Sequence, residues 1–355
     1  MRTVSTMSAV LAVLLAGAVL AGCERPPVVS EQGGYRGTGM VQMQNPRLVA
    51  ARDAAQPLPD AVPPASPEGP KAKDVFKNVQ VLGELTVPEF TRTMLAITAW
   101  VSPKDGCTYC HAAGEDLSAD KLHTKVVARR MLQMTRHINA DWKAHVADTG
   151  VTCFTCHRGQ PVPAQVWYTD PGPKHAGGAS ADSAGQNHPA RQAGLSSLPF
   201  DPLTPHLLGD EPIRVVSQQA LKAANPRDIK DTESTYALMT HISQSLGVNC
   251  TFCHNSRSFT EWPQSPPTRA VAYHGIRMAR DLNKTFLEPL KTTFPADRLG
   301  PTGDSPKVSC ATCHQGVNKP LHGAKLLKDH PALSAAAAAE SSVLAARDAP
   351  KAAGD

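Results

Sequence analysis

Four times in 355 residues the chain repeats Cys-x-x-Cys-His, at Cys107-Thr108-Tyr109-Cys110-His111, Cys153-Phe154-Thr155-Cys156-His157, Cys250-Thr251-Phe252-Cys253-His254 and Cys310-Ala311-Thr312-Cys313-His314. Two thiols separated by two residues can add to the two vinyl groups of one haem, and the histidine that follows then lies under the iron as proximal ligand. A zinc site would need two cysteine pairs brought together and has no use for a histidine after each pair. The spacing is also too regular for a disulfide framework. The repeats therefore predict four covalently bound haem c groups. They bear on the fold as well, because only 5% of the chain is aromatic and it holds 31 prolines and 25 glycines. A core of side chains alone would be thin, and four porphyrins supply the missing apolar mass.

Whether such a chain carries electrons or transforms a substrate depends on the second axial ligand of each iron. A six-coordinate iron passes electrons, whereas an open position admits a small molecule. Met94 lies 17 residues before His111, Met131 lies 26 before His157 and Met239 lies 15 before His254, each inside a helical pattern. A helical methionine is usually core filler. One ahead of each of the first three motifs is the placement expected of thioether ligands, which raise the potential relative to two histidines. Met134, one turn beyond Met131, competes with it, and Met131 is preferred. For the fourth iron the sequence offers Met278, His274 and, further off, His145. His145 reads either as a surface histidine or as a ligand reaching across to His314, and spacing alone leaves both open.

The fold class expected is mainly α with much irregular structure: a multihaem cytochrome c built as two pseudo-symmetric pairs of helix–turn–motif units. Thr86 and Glu89 form a plausible capping box ahead of the first helix, in which Leu95, Trp100 and Val101 sit with Met94 and Ile97. In the third unit Leu238, Met239, Ile242 and Leu246 recur at offsets that place them on one helix face, and Gly247 stands where a helix ends. The pairs occupy 75–160 and 231–330. Residues 161–230, rich in Pro, Gly, Ala and Ser, read as a connector, 23–74 as an extended arm that is disordered or lies on a partner, and 331–355 as a flexible tail.

Residues 1–22 read as a lipoprotein signal peptide. The apolar segment Val10–Leu20 is too short to span a bilayer, which takes roughly 20 residues. It ends in Leu20-Ala21-Gly22-Cys23, which resembles a lipoprotein cleavage box, so Cys23 is the expected lipidated residue. Several acyl chains would anchor the protein stably. The expected location is the periplasmic face of the bacterial inner membrane. The formal charge is +5, yet four haems bring about eight propionate charges that stay ionised near Lys or Arg. Basic residues are scattered, without the aromatic interleaving of a nucleic-acid surface.

The runs Asn78–Gly83 through the first motif, Ser243–His254, and Arg298-Leu299-Gly300-Pro301-Thr302-Gly303-Asp304 leading to Cys310 resemble the tetrahaem cytochrome c subunit of the purple-bacterial photosynthetic reaction centre. The resemblance covers about residues 75 to 330, and the cleavage box matches too. It implies Met94/His111, Met131/His157, Met239/His254 and His145/His314 as axial pairs, with Met278 left to packing. It implies a subunit seated on the reaction centre L and M subunits, in a complex with H. That subunit re-reduces the photo-oxidised special pair and is fed by a soluble donor such as cytochrome c2 or a high-potential iron–sulfur protein. The haems would be ordered in space third, fourth, second, first. Rival readings are a periplasmic tetrahaem carrier of anaerobic respiration and a multihaem enzyme. The first usually has a transmembrane helix and mostly histidine ligands, and the second needs a vacant iron position. The protein is therefore expected to be an electron carrier rather than an enzyme.

Overall fold

The computed structural model describes residues 27–33, 40–171, 194, 198, 201–215 and 229–334. The signal segment, Cys23, most of the Gly/Ala/Ser tract and the chain beyond 334 lie outside the described residues. The architecture is mainly helical with long irregular stretches. Strands β1 (Val29–Gln32) and β2 (Val41–Gln44) form an antiparallel pair, followed by helix α1 (Pro46–Ala54). Then come α2 (Val87–Val101), α3 (His123–Asp141), the single turn α4 (Lys143–Val146) and α5 (Cys153–His157). The second half holds α6 (Ile229–Leu246), α7 (Thr268–Leu282) and α8 (Cys310–His314). Among the described residues no helix is long and apolar enough to cross a membrane.

Local chemistry explains where the long helices start and stop. At the start of α2 the Thr86 hydroxyl accepts from the Glu89 amide while Glu89 Oε2 accepts from the Thr86 amide at 2.9 Å. Pro88 sits in the first turn, where no intrahelical donor is lost. Trp100 and Ala96 are buried and Leu95 is 56% exposed, so the helix turns Leu95 away from the face that Trp100 and Ala96 bury. In α6, Leu238 and Ile242 are buried together with Met239 and Leu246 packed beside them, as the periodicity predicts. Gly247 follows with φ +66°, and a Cβ there would stand 2.1 Å from the Gly316 carbonyl oxygen. Only glycine satisfies both the left-handed turn and that approach.

Two segments pack more tightly than their composition implies. The connector contributes Trp167, Leu203 and Leu207 to the core that Leu238, Ile242 and Ile276 complete. Trp167 and Lys307 exchange backbone hydrogen bonds at 3.0 and 2.9 Å. The start of the expected tail is also built in: Leu333 is buried beside Trp100, Leu132, Phe154 and Leu321. The last described residues thus close the core of the first haem segment.

Order also begins well before Val75, and the arm lies on the chain itself. Thr251 Oγ1 donates to the Val41 carbonyl at 2.7 Å, and the Gln42 side chain both donates to Thr251 Oγ1 and accepts from the Asn249 amide. Further on, the buried Gln56 donates to the Gln315 carbonyl and accepts from Arg158 Nη2 at 3.0 Å and the Leu321 amide at 3.3 Å. Then Arg92 of α2 donates to the carbonyls of Val62 and Pro63. Gln56→Ala leaves buried donors unpaired, which costs about 1–3 kcal/mol. The expected result is a lower denaturation midpoint with unchanged slope, and an unaltered midpoint would show the clip to be idle.

Candidate haem sites

The four motifs adopt two conformations, assigned pairwise. The first and third are single 3₁₀ turns, Gly106–Tyr109 and Cys250–Phe252. In each, a threonine opening the next helix donates to the carbonyl of the residue before the second cysteine: Thr124 to Tyr109 at 2.5 Å, and Thr268 to Phe252. The second and fourth motifs are the short helices α5 and α8. Each begins with a threonine hydroxyl that accepts from the backbone amide three residues earlier, Thr155 Oγ1 from Thr152 N at 3.0 Å and Thr312 Oγ1 from Ser309 N at 2.9 Å. Each ends in a left-handed residue, Arg158 (φ 51°) or Gln315 (φ 49°), followed by a glycine with positive φ.

An asparagine holds the entrance to each of these two motifs. Asn139 accepts from the Val151 amide at 2.8 Å and donates to the Val151 carbonyl at 2.9 Å. Asn283 does the same for Val308, at 2.8 and 2.9 Å. Sequence reading missed both. An asparagine near the end of a helical stretch is the one available signal, since its side chain competes with helical backbone bonding.

Every histidine assigned to iron is prepared in the same way. Nδ1 of His111 lies 2.9 Å from the Leu117 carbonyl, that of His157 2.9 Å from Gln160, that of His254 3.1 Å from Phe259 and that of His314 3.0 Å from Val317. His145 repeats the contact at 2.9 Å from the Val271 carbonyl. A carbonyl only accepts, so Nδ1 carries the proton and Nε2 keeps a lone pair for a metal. Burial disfavours the charged form of His145, His157 and His254. His314 is pushed down to about 4, by burial first and by the neighbouring His145 second. The His145 and His314 rings stand 6.0 Å apart between centroids. That leaves room for an atom bonded at about 2 Å, typical of imidazole–metal bonds, on either side.

The methionines separate by packing. Met94 and Met239 lie at the margins of apolar clusters, partly buried. Met134 packs with Ile138, Leu282 and Phe286, and Met278 joins the same cluster, whereas Met131 stays out of all three. Large apolar side chains near these candidate residues are open to solvent: Leu95 beside Met94, Tyr236 (61% exposed) one turn before Met239, and Phe259 beside His254. Faces of this kind fit a porphyrin. Arg158 Nη1 and Trp100 Nε1 are buried without a hydrogen-bond partner among the described residues.

The thiols differ in burial. Burial pushes Cys153 and Cys310 up to about 12 and raises Cys110 and Cys253. Cys107 and Cys250 are exposed. Cys156 and Cys313, each expected to carry a haem, are brought together where α5 and α8 pack side by side, with Cα atoms 4.5 Å apart and their sulfurs in contact.

Cysteine pairs followed by histidines held in the ligand tautomer, with apolar faces open beside them, define a c-type cytochrome. The family model described as photosynthetic reaction centre cytochrome C subunit matches residues 24–334, and the chain belongs to that family. Three relatives carry the name photosynthetic reaction center cytochrome c subunit. The one from Rubrivivax gelatinosus is 52% identical over 94% of this chain and 91% of its own length. That from Thermochromatium tepidum is 52% identical over 90% and 79%, and that from Roseobacter denitrificans 41% over 91% and 90%.

Proposed function

We propose that this chain is an electron carrier that re-reduces the photo-oxidised special pair of a photosynthetic reaction centre. It would hold four haems through the eight motif cysteines, with axial pairs Met94/His111, Met131/His157, Met239/His254 and His145/His314. The haem iron supplies one-electron chemistry when bound. The chain's own part is to hold each imidazole in one tautomer, offer thioethers at three irons and an imidazole at the fourth, and exclude water with apolar side chains. The observation that carries this reading is the uniform Nδ1–carbonyl contact of all five histidines, at 2.9–3.1 Å. Each of the eight motif thiols would add across one haem vinyl group, so intact-mass measurement of the holoprotein should give four haem additions and no disulfide.

The pairwise conformations of the motifs and the matching roles of Asn139 and Asn283 support two pseudo-symmetric pairs of haem units. The contact of α5 with α8, and of His145 with His314, supports second and fourth haems as neighbours. In this reading the third haem faces the special pair and the first meets a soluble periplasmic donor. Cys23 is the lipid anchor on the periplasmic face of the inner membrane, and the L and M subunits form the seat.

Flash excitation of native membranes with the haems reduced tests the role. The expected result is oxidation of the c-type haem band in step with recovery of the special pair. Haems that stay reduced while the special pair recovers by another route would leave a respiratory carrier as the better account.

A further inference from the structure

The equivalence of the second and fourth haem units extends to individual positions, and it isolates one residue. Thr124 of α3 and Thr268 of α7 play the same part toward the first and third motifs, and Asn139 and Asn283 play the same part toward the second and fourth. Asn139 follows Thr124 by 15 residues, as Asn283 follows Thr268. Counted from these threonines, Met134 and Met278 occupy one position, and they pack into the same apolar cluster. Three residues earlier the correspondence breaks in chemistry. Met131 stands in α3, and its counterpart in α7 is Gly275.

The space left at Gly275 is filled by His145. A Cβ built on Gly275 would lie 2.5 Å from His145 Cε1, 2.8 Å from Nδ1 and 3.1 Å from Nε2. The imidazole therefore lies against bare helix backbone, with Nδ1 on the carbonyl of Val271, one turn earlier. The same helix holds the base of the His145 segment: Asp281 accepts from Trp142 Nε1 at 2.9 Å and from His137 Nε2 at 2.6 Å.

We propose that Gly275 is a positioning residue that sets the ligand of the fourth iron. It withholds a methionine where the second unit supplies Met131, and it opens the seat in which the His145 ring faces His314. This rests on the axial assignment of His145 proposed above. Helix chemistry alone argues the other way, because Gly→Ala in a helix interior is ordinarily stabilising. A glycine retained in mid-helix is explained here by what lies on it.

The test uses full-length holoprotein with three variants, read by low-temperature EPR, by potentiometric titration and by carbon monoxide uptake of the reduced protein. His145→Ala should remove the bis-imidazole low-spin signal and create one CO-binding haem; if it does neither, the axial assignment itself falls. Gly275→Ala should weaken or abolish the same signal, shift that haem's midpoint and admit CO, although the helix gains intrinsic stability. An unchanged signal and midpoint in Gly275→Ala, with His145→Ala behaving as expected, would overturn the role of Gly275 and leave His145 as ligand. In His145→Ala/Gly275→Met the new thioether should restore a six-coordinate haem with the charge-transfer band of methionine ligation and abolish CO uptake. Continued CO binding there would count against the equivalence of positions 131 and 275.

Discussion

Replacing Met131 by histidine is expected to lower the midpoint potential of one haem by on the order of 0.1–0.3 V, within the span of about 0.8 V that axial ligands command. A thioether favours the reduced iron more than an imidazole does, so exchanging one for the other moves the potential downward. Met134→Leu should leave every potential in place and cost less than about 1.5 kcal/mol, because it exchanges like volumes in an apolar cluster. The two residues lie one turn apart, and their surroundings separate them. Met134 packs with Ile138, Leu282 and Phe286, as its counterpart Met278 does, while Met131 belongs to no such cluster. Redox titration of both variants decides the matter. A shift confined to Met134→Leu would reverse the assignment.

Lys307→Met is expected to remove about 3–5 kcal/mol of stability, the usual result of stripping one partner from a buried ion pair. The Lys307 side chain is fully buried, bonded to Asp304, 3.5 Å from Glu288, donating to the Ser305 carbonyl and set 4.7 Å from the centre of the Trp167 ring. Burial acts to raise Asp304. Bonds from Lys307, from the Thr169 amide at 2.8 Å and from Thr302 more than reverse this and hold the carboxyl at about 2. The folded value lies below the unfolded one of 3.8. The contribution of the pair is therefore complete above about pH 4 and disappears as pH falls through 2. Denaturation midpoints of wild type and variant should differ widely at pH 7 and converge toward pH 2. A difference below about 1 kcal/mol at neutral pH would mean that the Trp167–Lys307 corner is held by its backbone bonds alone.

What could be read from the sequence was what is encoded by adjacency or period. Each motif histidine sits next to its cysteine, and the buried faces of α2 and α6 recur at helical offsets. The sequence favoured Met131 over Met134 without deciding between them, because both fit a helix and only the environment of each side chain tells a ligand from filler. The arm was misjudged for a different reason. Its attachments are polar side chains bonded to single backbone groups, as with Gln42 and Gln56, and such contacts leave no periodic trace in a segment whose composition otherwise resembles a disordered chain. The same holds for Asn139 and Asn283. Leu321 and Leu333 were invisible as core because their partners, Trp100 and Leu132, lie about two hundred residues away in the chain.

The arm's route has a consequence for biosynthesis. Residues 41–43 fasten to 249 and 251, and Gln56 fastens to Gln315 and Leu321. Residues 41–43 therefore have no seat until about two hundred further residues have been made, and Gln56 has none until Gln315 and Leu321 follow. Closing loops of that span is slow relative to forming the local helices. Throughout that interval the arm is not yet strapped across the motifs at Cys250 and Cys310. The arm is thus a late closure over the folded segments, and a chain truncated before Gln315 would lack the seat for Gln56.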